Sequence, residues 1–88
     1  MRRVRRVRGA TFDWRNERWT DRRVTRSTPR LRVRYLSSAY FSLLTEFPDL
    51  KHYFGLGDSL LVLYRGVAIE VGSSGADALS EDQLERLR

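Results

Sequence analysis

The clearest pattern along the chain is an alternation of apolar and polar residues in two separate segments. Residues 30–35 (RLRVRY) place Leu31, Val33 and Tyr35 on one side of an extended chain and arginines on the other. A period of two predicts a strand with one face on the core and one face in solvent. Residues 10–14 (ATFDW) repeat the pattern, and a polar turn at 15–17 precedes a second arm. We therefore expect a hairpin over residues 10–26.

A helical period appears in the middle of the chain. Apolar residues stand at positions i, i+3, i+4 and i+7 counted from Tyr40, which predicts an amphipathic helix over residues 38–47. Ser37 or Ser38 can cap its start, and Pro48 ends it. The next segment, residues 49–54 (DLKHYF), fits either another helical turn or a short strand.

The distal part of the chain predicts a second hairpin and a closing helix. The run LLVLY has no polar face, which is typical of a central strand that is covered on both sides. A tight turn at residues 65–66 and a returning apolar arm complete a hairpin over residues 59–71. Ser80 and Gln83 then match a capping box at the start of the last helix.

These elements predict an α+β fold: a small, mostly antiparallel sheet of four or five strands with two helices packed on it. Residues 1–9 (MRRVRRVRG) hold five arginines, whose mutual repulsion predicts a flexible basic N-terminal arm. Residues 10–88 are expected to form one small domain, with a basic hairpin over 10–28 and the remaining elements over 31–88.

Composition limits the chemistry that the chain can perform. The chain has 88 residues, no cysteine and one histidine, so thiol catalysis, disulfides and thiolate metal sites are excluded. Residues 55–57 (GLG) lack the third glycine of a dinucleotide loop and precede a strand rather than a helix. We therefore expect no catalytic residue, no metal and no cofactor. The protein is expected not to be an enzyme, and the alternative left open is a small enzyme that uses neither cysteine nor metal.

Charge is strongly segregated along the chain. Residues 1–35 hold thirteen arginines and three acids, a net charge of +10, whereas residues 36–88 hold four basic residues and eight acids, a net charge of −4. Folding requires no such segregation, which instead indicates a polyanionic partner for the first third. Arginine outnumbers lysine sixteen to one, which either a GC-rich genome or a need for bidentate phosphate contacts would explain.

The candidate anion-binding residues are arginines of this basic third. Arginines that alternate with core residues in the strand over residues 30–35 are expected to form either a solvated face or an ordered row that faces a ligand. Trp14 and Trp19 are expected to face each other across the first hairpin, as core aromatics or as platforms for nucleobases. The anion-binding candidates are Arg2, Arg3, Arg5, Arg6, Arg8, Arg22, Arg23, Arg30, Arg32 and Arg34.

Two functions fit these residues. The first is a small, arginine-rich, non-enzymatic protein that binds nucleic acid, RNA or DNA, or belongs to a nucleoprotein assembly. The second is an adaptor or regulatory protein that binds an acidic protein partner. The sequence leaves the oligomeric state and any base preference open.

From residue 31 onward, the chain resembles the distal half of the thioredoxin fold. The central strand of that family is similar to LRVRYL, its next segment to EFPDLKHYFGLG, its hairpin to LLVLYRGVAIEVG and its closing helix to ALSEDQLERLR. The family's Cys-x-x-Cys motif is missing, and Ser59 stands where the family has a cis-proline. The resemblance therefore implies a redox-inactive, thioredoxin-like scaffold for protein–protein interaction, to which no catalytic residue carries over.

No apolar run approaches the ~20 residues that a membrane-spanning helix requires, so no integral membrane segment is expected. An intracellular, cytoplasmic location is favoured. An arginine-rich start without acids through residue 12 is also compatible with an organelle transit peptide.

Overall fold

A computed structural model describes residues 3–88, so Arg2 lies outside the described residues. Within this described part of the chain, six strands form one mixed sheet in the order β1-β2-β3-β5-β6-β4. Their bounds are β1 Val4–Val7, β2 Ala10–Arg15, β3 Arg18–Asp21, β4 Arg30–Arg34, β5 Leu60–Tyr64 and β6 Val67–Gly72. Among the described residues, three short α-helices complete the α+β fold, and their bounds are α1 Ser38–Glu46, α2 Lys51–Phe54 and α3 Glu81–Glu85. A 3₁₀ turn, Pro48–Leu50, leads into α2.

The expectation of a mostly antiparallel sheet with four or five strands is wrong. The described residues form six strands, and two of the five strand pairings, β3 with β5 and β4 with β6, are parallel. The alternation of apolar residues shows where strands occur, but it carries no information on which distant strands pair. Two helices were expected. The third, α2, lies in the segment 49–54, for which the sequence fitted either a helical turn or a short strand.

The expectation of a flexible basic arm is wrong for residues 4–7, which form the edge strand β1. This strand pairs antiparallel with β2, from Val4 opposite Asp13 to Val7 opposite Ala10. The strand conformation separates neighbouring charges, because Arg5 and Arg6 point to opposite faces of the sheet. A turn with positive φ at Arg8 (50°) and Gly9 (84°) joins β1 to β2.

The three helices pack on one face of the sheet and bury the core there. Phe12, Val62 and Ile69 supply fully buried side chains from three strands, and they meet Leu43 of α1 and Leu50. Both predicted helix starts are confirmed. The hydroxyl of Ser37 accepts a hydrogen bond from the backbone N–H of Tyr40 at 3.3 Å, and Ser80 forms its capping box with Gln83.

Both predicted hairpins are present. Trp14 lies opposite Trp19 in the register of β2 and β3, and their rings meet edge to face with centroids 5.2 Å apart. Strand β5 lies between β3 and β6, so the prediction of a central strand from its wholly apolar sequence is confirmed.

Candidate functional site

The sheet face opposite the helices, here called the open face, displays most of the arginines that lie in strands. The strand register places Arg6, Arg15 and Arg18 on this face through their pairings with Thr11 and with each other. The register between β4 and β6 adds three arginines from β4. The open-face arginines of the strands are Arg6, Arg15, Arg18, Arg30, Arg32 and Arg34, and the strand acids on the same face are Asp13 and Glu70.

Strand β4 forms the ordered arginine row that the alternation predicts. Val33 of this strand is buried, whereas the side chains of Arg30, Arg32 and Arg34 remain between 43% and 57% exposed. Strand β4 is the last strand of the sheet, but residues 74–77 lie along its outer side. There the Arg34 N–H donates to Ala76 O at 3.0 Å, and the Ala76 N–H donates to Arg32 O at 2.9 Å. This backbone pairing fixes the row in register.

Each guanidinium of the row is held by an acid. Nη1 of Arg30 and Nε of Arg32 lie 3.3 and 3.1 Å from the carboxylate oxygens of Glu70, and Arg34 pairs with Asp77. Ion pairs of this exposure contribute about 0–1 kcal/mol each, so a stronger anion can replace the acid as the partner.

The side chain of Arg18 crosses the open face to reach the same carboxylate. Arg18 belongs to β3 and Glu70 to β6, yet their Nη1 and Oε1 atoms lie 3.3 Å apart. Because β5 lies between these strands, the arginine stem must pass over β5 beside Leu61, whose register partners are Thr20 and Glu70. This crossing accounts for the 1% exposure of Leu61 on a face without helices.

Arg22 and Arg23 follow β3 and have different surroundings. Arg22 makes a bidentate pair with Asp13, with hydrogen bonds of 2.8 and 3.0 Å, and this hydrogen bonding raises the pKa of the Arg22 guanidinium. Arg23 donates from Nη2 to the buried carboxylate of Asp21 at 2.8 Å. Arg22 therefore extends the open face, whereas Arg23 compensates a buried charge.

The aromatic candidates lie on the opposite face from the arginine row. Trp14 and Trp19 share their face with Phe12 of the core, and Trp14 is 37% exposed. The guanidinium of Arg3 lies 5.9 Å from the ring centroid of Trp14, and that of Arg5 lies 5.7 Å from Trp19. These distances are typical of cation–π contacts. Trp14 and Trp19 therefore lie on one face of the sheet and the arginine row on the other, so one ligand surface does not contain both sets of candidates.

Two partners in the open face were missed by sequence reasoning. Arg18 and Glu70 are 52 positions apart in the sequence, and only the placement of β3, β5 and β6 in one sheet brings them together. Glu70 lies between the core residues Ile69 and Val71 of β6 and faces away from them, but no motif indicated its three arginine neighbours.

No family model, curated protein or solved structure matches this chain. The resemblance of residues 31–88 to the thioredoxin fold therefore stays a prediction. Across residues 3–88, no helix combines the length and the apolar character needed to cross a membrane.

Proposed function

We propose that the protein is a non-enzymatic module that binds nucleic acid through the open face of its sheet. The observation that carries the proposal is the row of half-exposed arginines on β4 beside the other arginines of the same face. Alternate residues of a strand are about 6.6 Å apart, a distance on the scale of successive phosphates in an extended nucleic-acid strand. We also propose that the protein acts in the cytoplasm, where RNA is available to it.

Electrostatics and shape support this role together. Among residues 3–88, the strands place six arginines and two acids on the open face, so this face attracts a polyanion, and binding releases the counterions condensed on that polyanion. Guanidinium groups also match the geometry of phosphate oxygens in bidentate contacts. The mixed sheet holds these groups in fixed positions, which a flexible arm would not.

A titration with labelled single-stranded and duplex oligonucleotides at two salt concentrations tests the proposal. We expect binding that weakens steeply with salt, and a loss of affinity when both Arg32 and Arg34 are replaced by alanine. The slope of log K against log salt should fall by roughly 0.7–0.9 for each phosphate contact that is lost. The control is the double variant Lys51→Ala, Arg88→Ala, which removes the same formal charge from the side of the helices, where Arg88 pairs with Glu46, Glu81 and Glu85.

Two results would argue against this function. One is binding by the wild-type protein that is absent or insensitive to salt. The other is a control variant that loses as much affinity as the open-face variant, because only net charge would then matter.

The second candidate function is a redox-inactive, thioredoxin-like adaptor that binds an acidic protein. The observation that favours it is the position of β1 at the end of the sheet, where one side of its backbone faces no other strand among residues 3–88. An extended acidic segment can add to such an edge and pair with Arg5 and Arg6. Capture of an acidic protein that persists after nuclease treatment, together with no oligonucleotide binding, would favour this candidate.

A further inference from the structure

Three arginines from two separated strands converge on one carboxylate of the open face, that of Glu70 in β6. Oε1 of Glu70 lies 3.3 Å from Nη1 of Arg18 and 3.3 Å from Nη1 of Arg30, and Oε2 lies 3.1 Å from Nε of Arg32. Glu70 itself is only 14% exposed. We call these four residues the Glu70 cluster.

The Glu70 cluster holds more positive charge than its acid compensates. Three guanidinium groups around one carboxylate leave a formal local charge of +2, and within residues 3–88 no other acid forms an ion pair with these three arginines. Nε of Arg18 is buried and has no hydrogen-bond partner among the described residues. Among residues 3–88, the one other hydrogen-bond acceptor of these guanidinium groups is the hydroxyl of Ser74, to which Nη2 of Arg32 donates at 3.1 Å.

We propose that the Glu70 cluster is a phosphate-binding site, and that the carboxylate of Glu70 takes the place of the phosphate in the free protein. Glu70 gathers the three guanidinium groups at one point and keeps them oriented. A phosphate group of the nucleic-acid backbone then takes over their hydrogen bonds, because it carries more charge and more acceptor oxygens than a carboxylate. This inference rests on the proposed function and specifies one contact within it.

The chemistry makes Glu70 an internal competitor of the ligand. Each phosphate that approaches the cluster meets attraction from three guanidinium groups and repulsion from one carboxylate. A neutral side chain of the same size at this position removes the repulsion and leaves the arginines without their internal partner. We therefore expect that a substitution of Glu70, although it removes ion pairs within the protein, strengthens the binding of nucleic acid.

The test compares Glu70→Gln with Glu81→Gln in the oligonucleotide titration. Glu81 pairs with Arg88 on the helical side of the molecule, so its substitution makes the same change in net charge far from the open face. We expect Glu70→Gln to raise the affinity roughly fivefold, the effect of one unit charge about 4 Å away in water. Glu81→Gln should change it less than twofold. Circular dichroism establishes that both variants are folded.

A second variant keeps the test decisive if Glu70→Gln does not fold. Arg18→Gln removes one guanidinium from the cluster, and it should lower the affinity more than Lys51→Gln in α2 does. Wild-type binding with equal effects of Glu70→Gln and Glu81→Gln, or of Arg18→Gln and Lys51→Gln, would overturn the phosphate site and leave the proposed function standing. Binding by neither the wild type nor Glu70→Gln would overturn the proposed function and the site with it.

Discussion

The carboxylate of Asp21 accepts a hydrogen bond of 3.0 Å from the backbone N–H of Leu63. Asp21 is the last residue of β3, and Leu63 belongs to the neighbouring parallel strand β5. Strand β3 ends at Asp21, so the carboxylate of Asp21, and not a backbone carbonyl of β3, accepts the hydrogen bond from Leu63 of β5. The carboxylate is fully buried and is also held by the backbone N–H of Arg23 at 2.9 Å and by the Arg23 guanidinium.

We expect Asp21→Ala to destabilise the fold by about 2–4 kcal/mol, because it leaves a buried N–H and a guanidinium without their acceptor. Asp21→Asn keeps the shape of the side chain and one acceptor oxygen, so it should cost less. Chemical denaturation at neutral pH measures both differences. An Asp21→Ala variant as stable as the wild type would show that this contact does not hold β3 against β5.

The stability that Asp21 contributes should depend on pH. Burial by itself raises the pKa of Asp21, but hydrogen bonds from Arg23 and Leu63 outweigh burial and lower it. A lowered pKa in the folded state adds stability above the unfolded value of about 3.9, and this stability is lost as the pH falls through the folded pKa. The stability gap between the wild type and Asp21→Asn should therefore shrink below about pH 4. A gap that stays constant or widens on acidification would contradict the lowered pKa.

The stem of Arg18 and its charge should have separable roles. Arg18→Ala uncovers Leu61 and should destabilise the protein by about 1 kcal/mol. Arg18→Met keeps most of the apolar cover, so it should retain more stability while it loses affinity for oligonucleotides as fully as Arg18→Ala. Thermal denaturation and the binding titration distinguish these effects. Equal stability loss in the two variants would show that the charge, and not the stem, protects Leu61.

The tryptophan pair should stabilise the first hairpin. An edge-to-face pair contributes about 0.5–1.5 kcal/mol beyond the burial of its surface, so Trp14→Ala should cost at least this amount. Trp14→Phe keeps an aromatic ring opposite Trp19 and serves as the matched control, with a smaller loss. Denaturation monitored by circular dichroism measures both. Equal losses would show that only the indole, and not ring packing across the strands, matters.

Gly75 should be required for the segment that borders β4. Its φ is +128°, and a Cβ at this position would lie 2.9 Å from the Arg32 carbonyl carbon and 3.0 Å from Val33 backbone atoms. Gly75→Ala should therefore destabilise the protein by about 1–3 kcal/mol and move residues 74–77 away from the arginine row. At Gly72, a Cβ would meet nothing within 4 Å. Gly72→Ala should therefore stay within about 0.5 kcal/mol of the wild type, and a larger loss there than at Gly75 would contradict the steric argument.

Local elements of this fold were predictable because their causes are local. The period of two in residues 30–35 fixes which side of β4 faces the core, and Ser37 and Ser80 cap helices through atoms three residues away. The sequence did not predict β1, because repulsion among the arginines favours a flexible segment as long as its pairing with β2 is unknown. In the strand, Arg5 and Arg6 lie on opposite faces, which reduces this repulsion.

The open face was only partly predictable from the sequence. The arginine row on β4 follows from alternation within one segment, whereas the Glu70 cluster depends on parallel pairings between segments that are distant in the chain. The separation of Trp14 from the arginine row has the same origin. The register between paired strands decides which residues of distant segments share a face, and a local pattern does not determine that register.

NMR can locate a bound oligonucleotide on the protein and so show whether the open face is the binding surface. A titration of isotopically labelled protein at low salt follows backbone amides and arginine Nε groups. We expect the largest shifts at Arg18, Arg30 and Arg32 and at their strand neighbours, and no change in α1, α2 and α3. Shifts concentrated in the helices, with the open face unaffected, would contradict the claim that the arginine-covered sheet is the binding surface.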